Sequence, residues 1–421
     1  MDPRINRTVL PNGVQILTKR MPHVRSVSMG VWANVGARDE SAVQSGLSHF
    51  IEHMIFKGTA KRSALEIAKA FDAIGGQSNA FTSMEHTCYH ARVLDSHLET
   101  MIDILSDIFL NSLFASEEVE KERPVIFQEI GMAEDSPEDL LHQNASRHFW
   151  GDTPLGRSSL GTPQNIERFN ARIIKDFFKN TYQAERIIIS LAGNLEHEQV
   201  VALLAPRFES LPKGKPLPPR LTPASRRHCR VHVKPLEQAH VCLVTEGLSS
   251  TADGRFGLSL LNTLLGGNMS SRLFQKIRET HGLAYSVYSF ISAHEDTGMF
   301  GAYTAVAPEQ ATAAVAMILE ELKRLGSEMV DGAELHDAKE FIRGNLYLAA
   351  ESVDNQMVRL AQNEIYFGRD IPLTETLSNF DRVQPEEIKA LAAKLFDPDQ
   401  LSLTILGPRM NTRDLEQMVS P

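Results

Sequence analysis
Apolar residues recur along this chain at two periods. Residues 14–19, 26–35, 77–82, 86–94 and 186–192 are short stretches favouring strands, bounded by turn-forming residues. Residues 46–56, 64–74, 98–109, 116–134 and 174–178 carry apolar positions three and four apart and read as helices. Runs of strands beside runs of helices predict an α+β fold, with helices packed on a mainly antiparallel sheet, and not a doubly wound one.

The pattern is written twice. Gly46-Leu47-Ser48 corresponds to Gly257-Leu258-Ser259 at an offset of 211. Glu118-Val119 with Ile126 corresponds to Glu334-Leu335 with Ile342 at an offset of 216, and residues 187–193 correspond to 401–407 at 214. A common order and a nearly constant offset indicate an internal duplication. Between the copies lies a Pro-rich stretch, residues 212–224, which reads as a stiff extended linker. The expected organisation is two homologous domains, 1–211 and 225–421, which suits a length of 421 residues.

Chemistry concentrates in one predicted helix. His49 and His53 stand four apart, so a helix puts both imidazoles on one face, one turn from each other. Two histidines placed that way can grip one metal ion, and Glu52 lies close enough to reach a water on it. The spacing H-x-x-E-H is the inverzincin signature. Leu47, Phe50, Ile51, Met54 and Ile55 supply an apolar face beside these groups, and Ser48 is a candidate N-cap. Catalytic zinc needs a third protein ligand and an open position. The candidate is Glu129, a carboxylate among Val125, Ile126, Phe127 and Ile130, where an acid wants a partner. Glu122 lies seven residues earlier on the same helical face, and Pro124 between them predicts a kink or a late helix start. In the second copy Leu260, Thr263, Leu264 and Asn345 stand where the first has His49, Glu52, His53 and Glu129. A helix at this place therefore does not itself require histidines.

The run from His49 to Thr59, with Glu129 76 positions after His53, resembles the pitrilysin/insulinase-type (M16) metallopeptidases, in their processing-peptidase branch (M16B). The resemblance implies one Zn2+ held by His49, His53 and Glu129, with Glu52 as general base and Glu122 assisting. It implies two related domains per chain. Arg278 and Tyr285, seven apart, look like the Arg/Tyr pair of the family, a guanidinium and a phenol suited to holding substrate and stabilising an oxyanion. In relatives with separate subunits this pair faces the zinc from the partner, so a homodimer acting in trans is expected. Residues 77–82, with Asn79, Ala80 and Phe81 at their centre, resemble the family's substrate-binding edge strand, to which an extended peptide adds by main-chain hydrogen bonds. His86 and His90 are also four apart, but in a strand-like stretch that spreads them about 13 Å, and they read as non-ligands.

Composition narrows the setting. A 42% hydrophobic content is that of a globular chain, and no run of 18 or more apolar residues appears, which excludes a membrane-spanning helix. The first residues carry no apolar leader, and the three cysteines, Cys88, Cys229 and Cys242, are scattered. Both features point to a reducing, cytoplasmic setting without disulfides. A net charge of −10 disfavours nucleic acid and is compatible with basic peptides. The expectation is a zinc-dependent endopeptidase acting on peptides or unfolded presequence-like segments. The rival is a non-catalytic scaffold or partner subunit, which the family also contains.

Overall fold
The structure is a computed structural model, and it describes residues 5–410 and 413–419. Residues 1–4, part of the segment read for a leader, lie outside them. The first sheet consists of β1 (Ile5–Val9), β2 (Gln15–Arg20), β3 (Ser26–Ala33), β4 (Gln77–Thr82), β5 (Thr87–Leu94) and β6 (Ile187–Gly193), in the order β1-β2-β6-β3-β5-β4. The second consists of β7 (Cys229–Val233), β8 (Ala239–Glu246), β9 (Ala284–Ala293), β10 (Gly298–Val306) and β11 (Ser402–Gly407), in the order β7-β11-β8-β10-β9. Neighbours are antiparallel except β2 with β6 and β7 with β11. The path β2-β6-β3-β5-β4 is repeated by β7-β11-β8-β10-β9, with β1 added at one edge. The α+β expectation holds, and the duplication is visible as one topology built twice.

Both faces of each sheet need cover. One face of the first sheet packs Val31, Tyr89, Ala91 and Ile189 against Phe50, Ile51 and Met54 of the helix Leu47–Ile55. The other face presents Leu17, Trp32, Cys88 and Ile188 to Val353, Met357, Leu360 and Ala361 of the helix Val353–Phe367. Trp32 donates its indole N–H to Ser190 Oγ at 2.9 Å, so this second core leaves no orphan at its largest residue. In the second unit the helix Arg255–Gly266 packs on Val241, Leu243 and Phe300, while the helix Pro137–Trp150 lies on β8 and β11. At Gly266 a Cβ would meet Ser289 N at 2.4 Å, so only glycine lets that helix approach β9 so closely.

The compact units are consequently not contiguous halves. The first gathers the chain up to Met132, then Arg157–Leu221 and Tyr347–Ile371, and the second gathers Ala133–Gly156, Thr222–Leu346 and the chain from Pro372. Each sheet takes the helix for its second face from the other half of the sequence. The linker also departs from expectation. Arg220 makes a bidentate pair with Asp39 at 2.9 and 2.8 Å, and Arg38 donates to Leu221 O at 3.1 Å. These contacts hold residues up to Leu221 on the first unit. Among the described residues no helix is long and apolar enough to cross a membrane.

Candidate metal centre
The helix Leu47–Ile55 buries Leu47, Phe50, Ile51, Met54 and Ile55 completely. That packing fixes the rotation of the helix and leaves His49, Glu52 and His53 along one half-buried flank. Its entry is set by Gly46, with φ 101°, where a side chain would meet Gly161 Cα and Leu160 O at 2.9 Å. Ser48 is not the cap; it lies inside the helix. The buried Glu40 does the capping instead, accepting from Gly46 N at 2.8 Å and from Ser48 N at 2.6 Å.

Burial pushes the Glu40 carboxyl up to about 7, against the pull of those two amides. The folded protein therefore holds this proton at pH values where the unfolded chain has released it. Glu40's contribution to stability is largest in acid and falls as pH rises from the ordinary carboxylate range through about 7. Urea unfolding at pH 5 and pH 8 should show Glu40→Gln losing part of this slope, while an unchanged slope would assign the titration elsewhere.

The helix Ser116–Asp135 supplies the acids. It begins at Ser116 and continues through Pro124, so the helix does not start late there. Its buried face, Val119, Glu122, Ile126 and Ile130, holds it in place despite the missing amide. Burial within this face differs from expectation. Glu122 is the buried acid, at 7% side-chain exposure, while Glu129 is 38% exposed.

Donor atoms of His49, His53 and Glu129 all lie within 4.8 Å of one another. Glu129 Oε2 is 3.4 Å from His49 Nε2 and 3.3 Å from His53 Nε2. Ligands about 2.0–2.1 Å from a tetrahedral zinc stand roughly 3.3 Å apart, so this donor set fits such an ion with one position left open. Glu122 Oε1 accepts from His53 Nδ1 at 2.8 Å, which fixes the tautomer and leaves the Nε2 lone pair free to ligate. Lys57 Nζ, one turn beyond His53, sits 2.5 Å from Glu122 Oε2.

Protonation states follow from these neighbours. Burial, with His53 alongside, lowers His49 to about 4, so its imidazole is neutral at pH 7 as a ligand must be. Burial also lowers His53, but the Glu122 hydrogen bond and the charges of Glu129, Glu122 and Glu52 more than reverse it. Burial raises Glu122, yet His53 and Lys57 bring it below the ordinary carboxylate range. Glu52 is raised by burial and by Glu129, against the Thr82 hydrogen bond and His53.

Residues 15–163 match the family model described as Insulinase (Peptidase family M16), and residues 168–342 match Peptidase M16 inactive domain. An uncharacterized zinc protease of Streptomyces coelicolor is 39% identical over 415 residues, spanning 96% of this chain and 90% of its own. The chain belongs to peptidase family M16. The uncharacterized zinc protease YmxG of Bacillus subtilis is likewise 39% identical over 409 residues, spanning 97% of this chain and 99% of its own. A crystal structure of a protease from Helicobacter pylori, at 23% identity, covers 96% of this chain and 100% of its own with a TM-score of 0.91, and it shares the fold. The M16 model described as inactive covers the copy in which Leu260, Thr263 and Leu264 replace the motif, and there these three residues are buried.

Other candidate positions of this M16 chain fall into two groups. Beside the metal site, β4 is the edge strand, with Asn79 exposed and Ala80 and Phe81 half-buried. Phe81 packs edge-on to Trp32 at 5.5 Å, on the face away from the motif helix, and His86 (edge-on) and His90 (tilted) each lie 6.1 Å from the Phe81 ring. Thr82 faces the motif helix and donates to Glu52 Oε2 at 2.5 Å. In the second unit, the Arg278 guanidinium lies 4.4 Å from the Tyr285 ring centre and donates to Tyr285 O at 3.0 Å. Tyr285 is 81% exposed. Arg278 lies in a π-helix, Phe274–Thr280, which continues a short α-turn at Arg272 and Leu273. Such turns cluster at functional sites.

Three residues that hold the site escaped the sequence reading: Glu40, Lys57 and Thr82. Lys57 carried a usable signal, its i+4 spacing from His53. Glu40 acts across the loop before the helix, and Thr82 from a strand thirty residues on.

Proposed function
We propose that this M16 chain is a zinc-dependent endopeptidase of the processing-peptidase kind, acting on peptides or unfolded presequence-like segments in the cytoplasm. The observation that carries the reading is the convergence of His49, His53 and Glu129 donors, with the carboxylate of Glu52 held by Thr82 on the same helical flank. His49, His53 and Glu129 would hold one zinc ion, which when bound polarises a carbonyl and makes water acidic. Glu52 takes the proton from the attacking water and delivers it to the leaving amine. Glu122 keeps His53 in its ligating tautomer. The outer edge of β4 receives the substrate main chain as an added strand, which binds extended peptides with little demand on sequence. A complete donor set favours this over the non-catalytic subunit. Metal analysis together with cleavage of a mixed peptide library, read by mass spectrometry against Glu52→Gln, tests it. A metal-loaded wild type that leaves the library intact would refute it.

Arg278 and Tyr285 are proposed to serve the metal site of a second copy in a homodimer. An exposed tyrosine held flat against an arginine is a group presented outward, and its stacking keeps the guanidinium oriented. Subunit mixing decides the point. Glu52→Gln and Arg278→Ala chains should each be nearly inactive alone. Mixed in equal amounts and allowed to exchange, they should regain about a quarter of wild-type activity, because half the pairs carry one intact site. Activity no greater than the sum of the parents would place the pair in cis.

A further inference from the structure
Thr82 occupies a place that neither the motif nor the proposed chemistry accounts for. Strand alternation sends Phe81 to the Trp32 face and sends Ala80 and Thr82 to the motif-helix face. There the Thr82 hydroxyl makes the one side-chain hydrogen bond to the Glu52 carboxylate among the described residues. The main chain alternates too. Ala80 N donates to its own Asn79 Oδ1 at 2.9 Å, so its amide points away from β5, toward the free edge. In an antiparallel strand the amide and carbonyl of one residue point the same way, and residues two apart agree. Thr82 therefore turns its main chain to the free edge and its side chain to Glu52.

The end of the strand is firmly held. Ser83 N donates to His86 O at 2.8 Å, Ala37 N to Ser83 O at 3.1 Å, and Arg38 N to Met84 O at 2.7 Å. The turn after Thr82 is thereby fixed to the rest of the unit, whereas among the described residues the outer edge of β4 has no neighbouring strand. An incoming strand bonding at this edge acts on the same residue that holds Glu52.

We propose that Thr82 is a positioning residue that couples strand addition at β4 to the orientation of the Glu52 carboxylate, so that an extended peptide completes the base it is cleaved by. This rests on the peptidase reading above. Substrates long enough to pair along β4 gain in turnover as well as in affinity. Peptides too short to reach Thr82 leave the carboxylate less well held.

The test uses the full chain and a set of peptides with one scissile sequence and increasing length. In the wild type, KM falls and kcat rises with length. In Thr82→Val, which keeps the shape and loses the donor, KM still falls while kcat stays flat, about tenfold or more below wild type on the longest peptide. Thr82→Ser restores the rise, and metal content is equal in all three. A rise retained in Thr82→Val, or absent in Thr82→Ser, overturns the proposal. A second readout needs no turnover. Anisotropy titration of a fluorescent long peptide on the metal-free protein, over the cycle Thr82→Val, Glu52→Ala and the double variant, should show coupling of about threefold or more in Kd. Additive effects overturn the coupling. A wild type that binds this peptide with the coupling intact and yet cleaves nothing would refute the peptidase reading while upholding the role of Thr82.

Discussion

Glu52→Gln keeps its metal and loses about 10²–10⁴ in kcat, the usual contribution of a positioned general base. The substitution preserves size and an oxygen that can still accept from Thr82, so the local geometry survives. What it removes is the ability to take a proton. His49, His53 and Glu129 are untouched, so metal content measured by mass spectrometry should equal wild type. Wild-type turnover at a normal metal load would exclude Glu52 as the base. The pH profile gives an independent reading. Burial raises the Glu52 carboxyl above its ordinary value, and Glu129 adds to that. Only the ionised form can act as base, so activity rises as pH climbs through this raised value and is lost below it. Thr82 opposes the rise, so Thr82→Val should move this acid limb further up.

The parts of the site that could be read from the sequence are those built by local periodicity. His49, Glu52 and His53 share a helical flank because the apolar residues between them form a continuous buried face, and both features are visible in a few residues. The strand at 77–82 matches the observed β4 at both ends, because a turn closes each end. What escaped depends on contacts that no helical or strand period encodes. Glu40 caps a helix whose first amides lie six and eight residues ahead of it, across an intervening loop. Thr82 meets Glu52 only once β4 lies beside the motif helix. The apolar run around Glu129 pointed to the right residue by an incomplete argument: tertiary packing buries Glu122 and leaves Glu129, two turns along the same face, partly open. Glu129 stands at the metal site by virtue of its two-turn spacing from Glu122, which reaches the same histidine from behind. The unit boundaries were hidden for a different reason. β3 and β6 are buried on both faces, so their far side needs a cover, but nothing local says which helix provides it. The answer, residues 353–367 for the first sheet, comes from the far end of the chain.

Glu129→Ala should nearly abolish metal binding, and the comparison with Glu122→Gln shows why the two acids differ. Removing Glu129 leaves two imidazoles on one helix and breaks the three-donor set. Affinity should fall by more than about 100-fold, beyond what loss of a ligand's hydrogen-bond partner costs. Glu122→Gln leaves all three donors and weakens only the group that orients His53 and receives Lys57. Its loss should lie within about 10- to 100-fold. Lys57→Met should fall below both, because Glu122 keeps its bond to His53. Chelator competition on the purified full chain ranks the three variants. The ranking also has a structural consequence. Metal that binds only the folded state raises the melting temperature, so the wild type should melt lower after chelation and Glu129→Ala should not respond. Equal metal affinity in Glu129→Ala and wild type would move the third ligand elsewhere. Because Glu122 already bridges His53 and Lys57, with its carboxylate held below the ordinary range, it would be the first residue to examine. A metal drawn to Glu122 would have to break that bridge, and the Nδ1 of His53 would lose the acceptor that now fixes its tautomer.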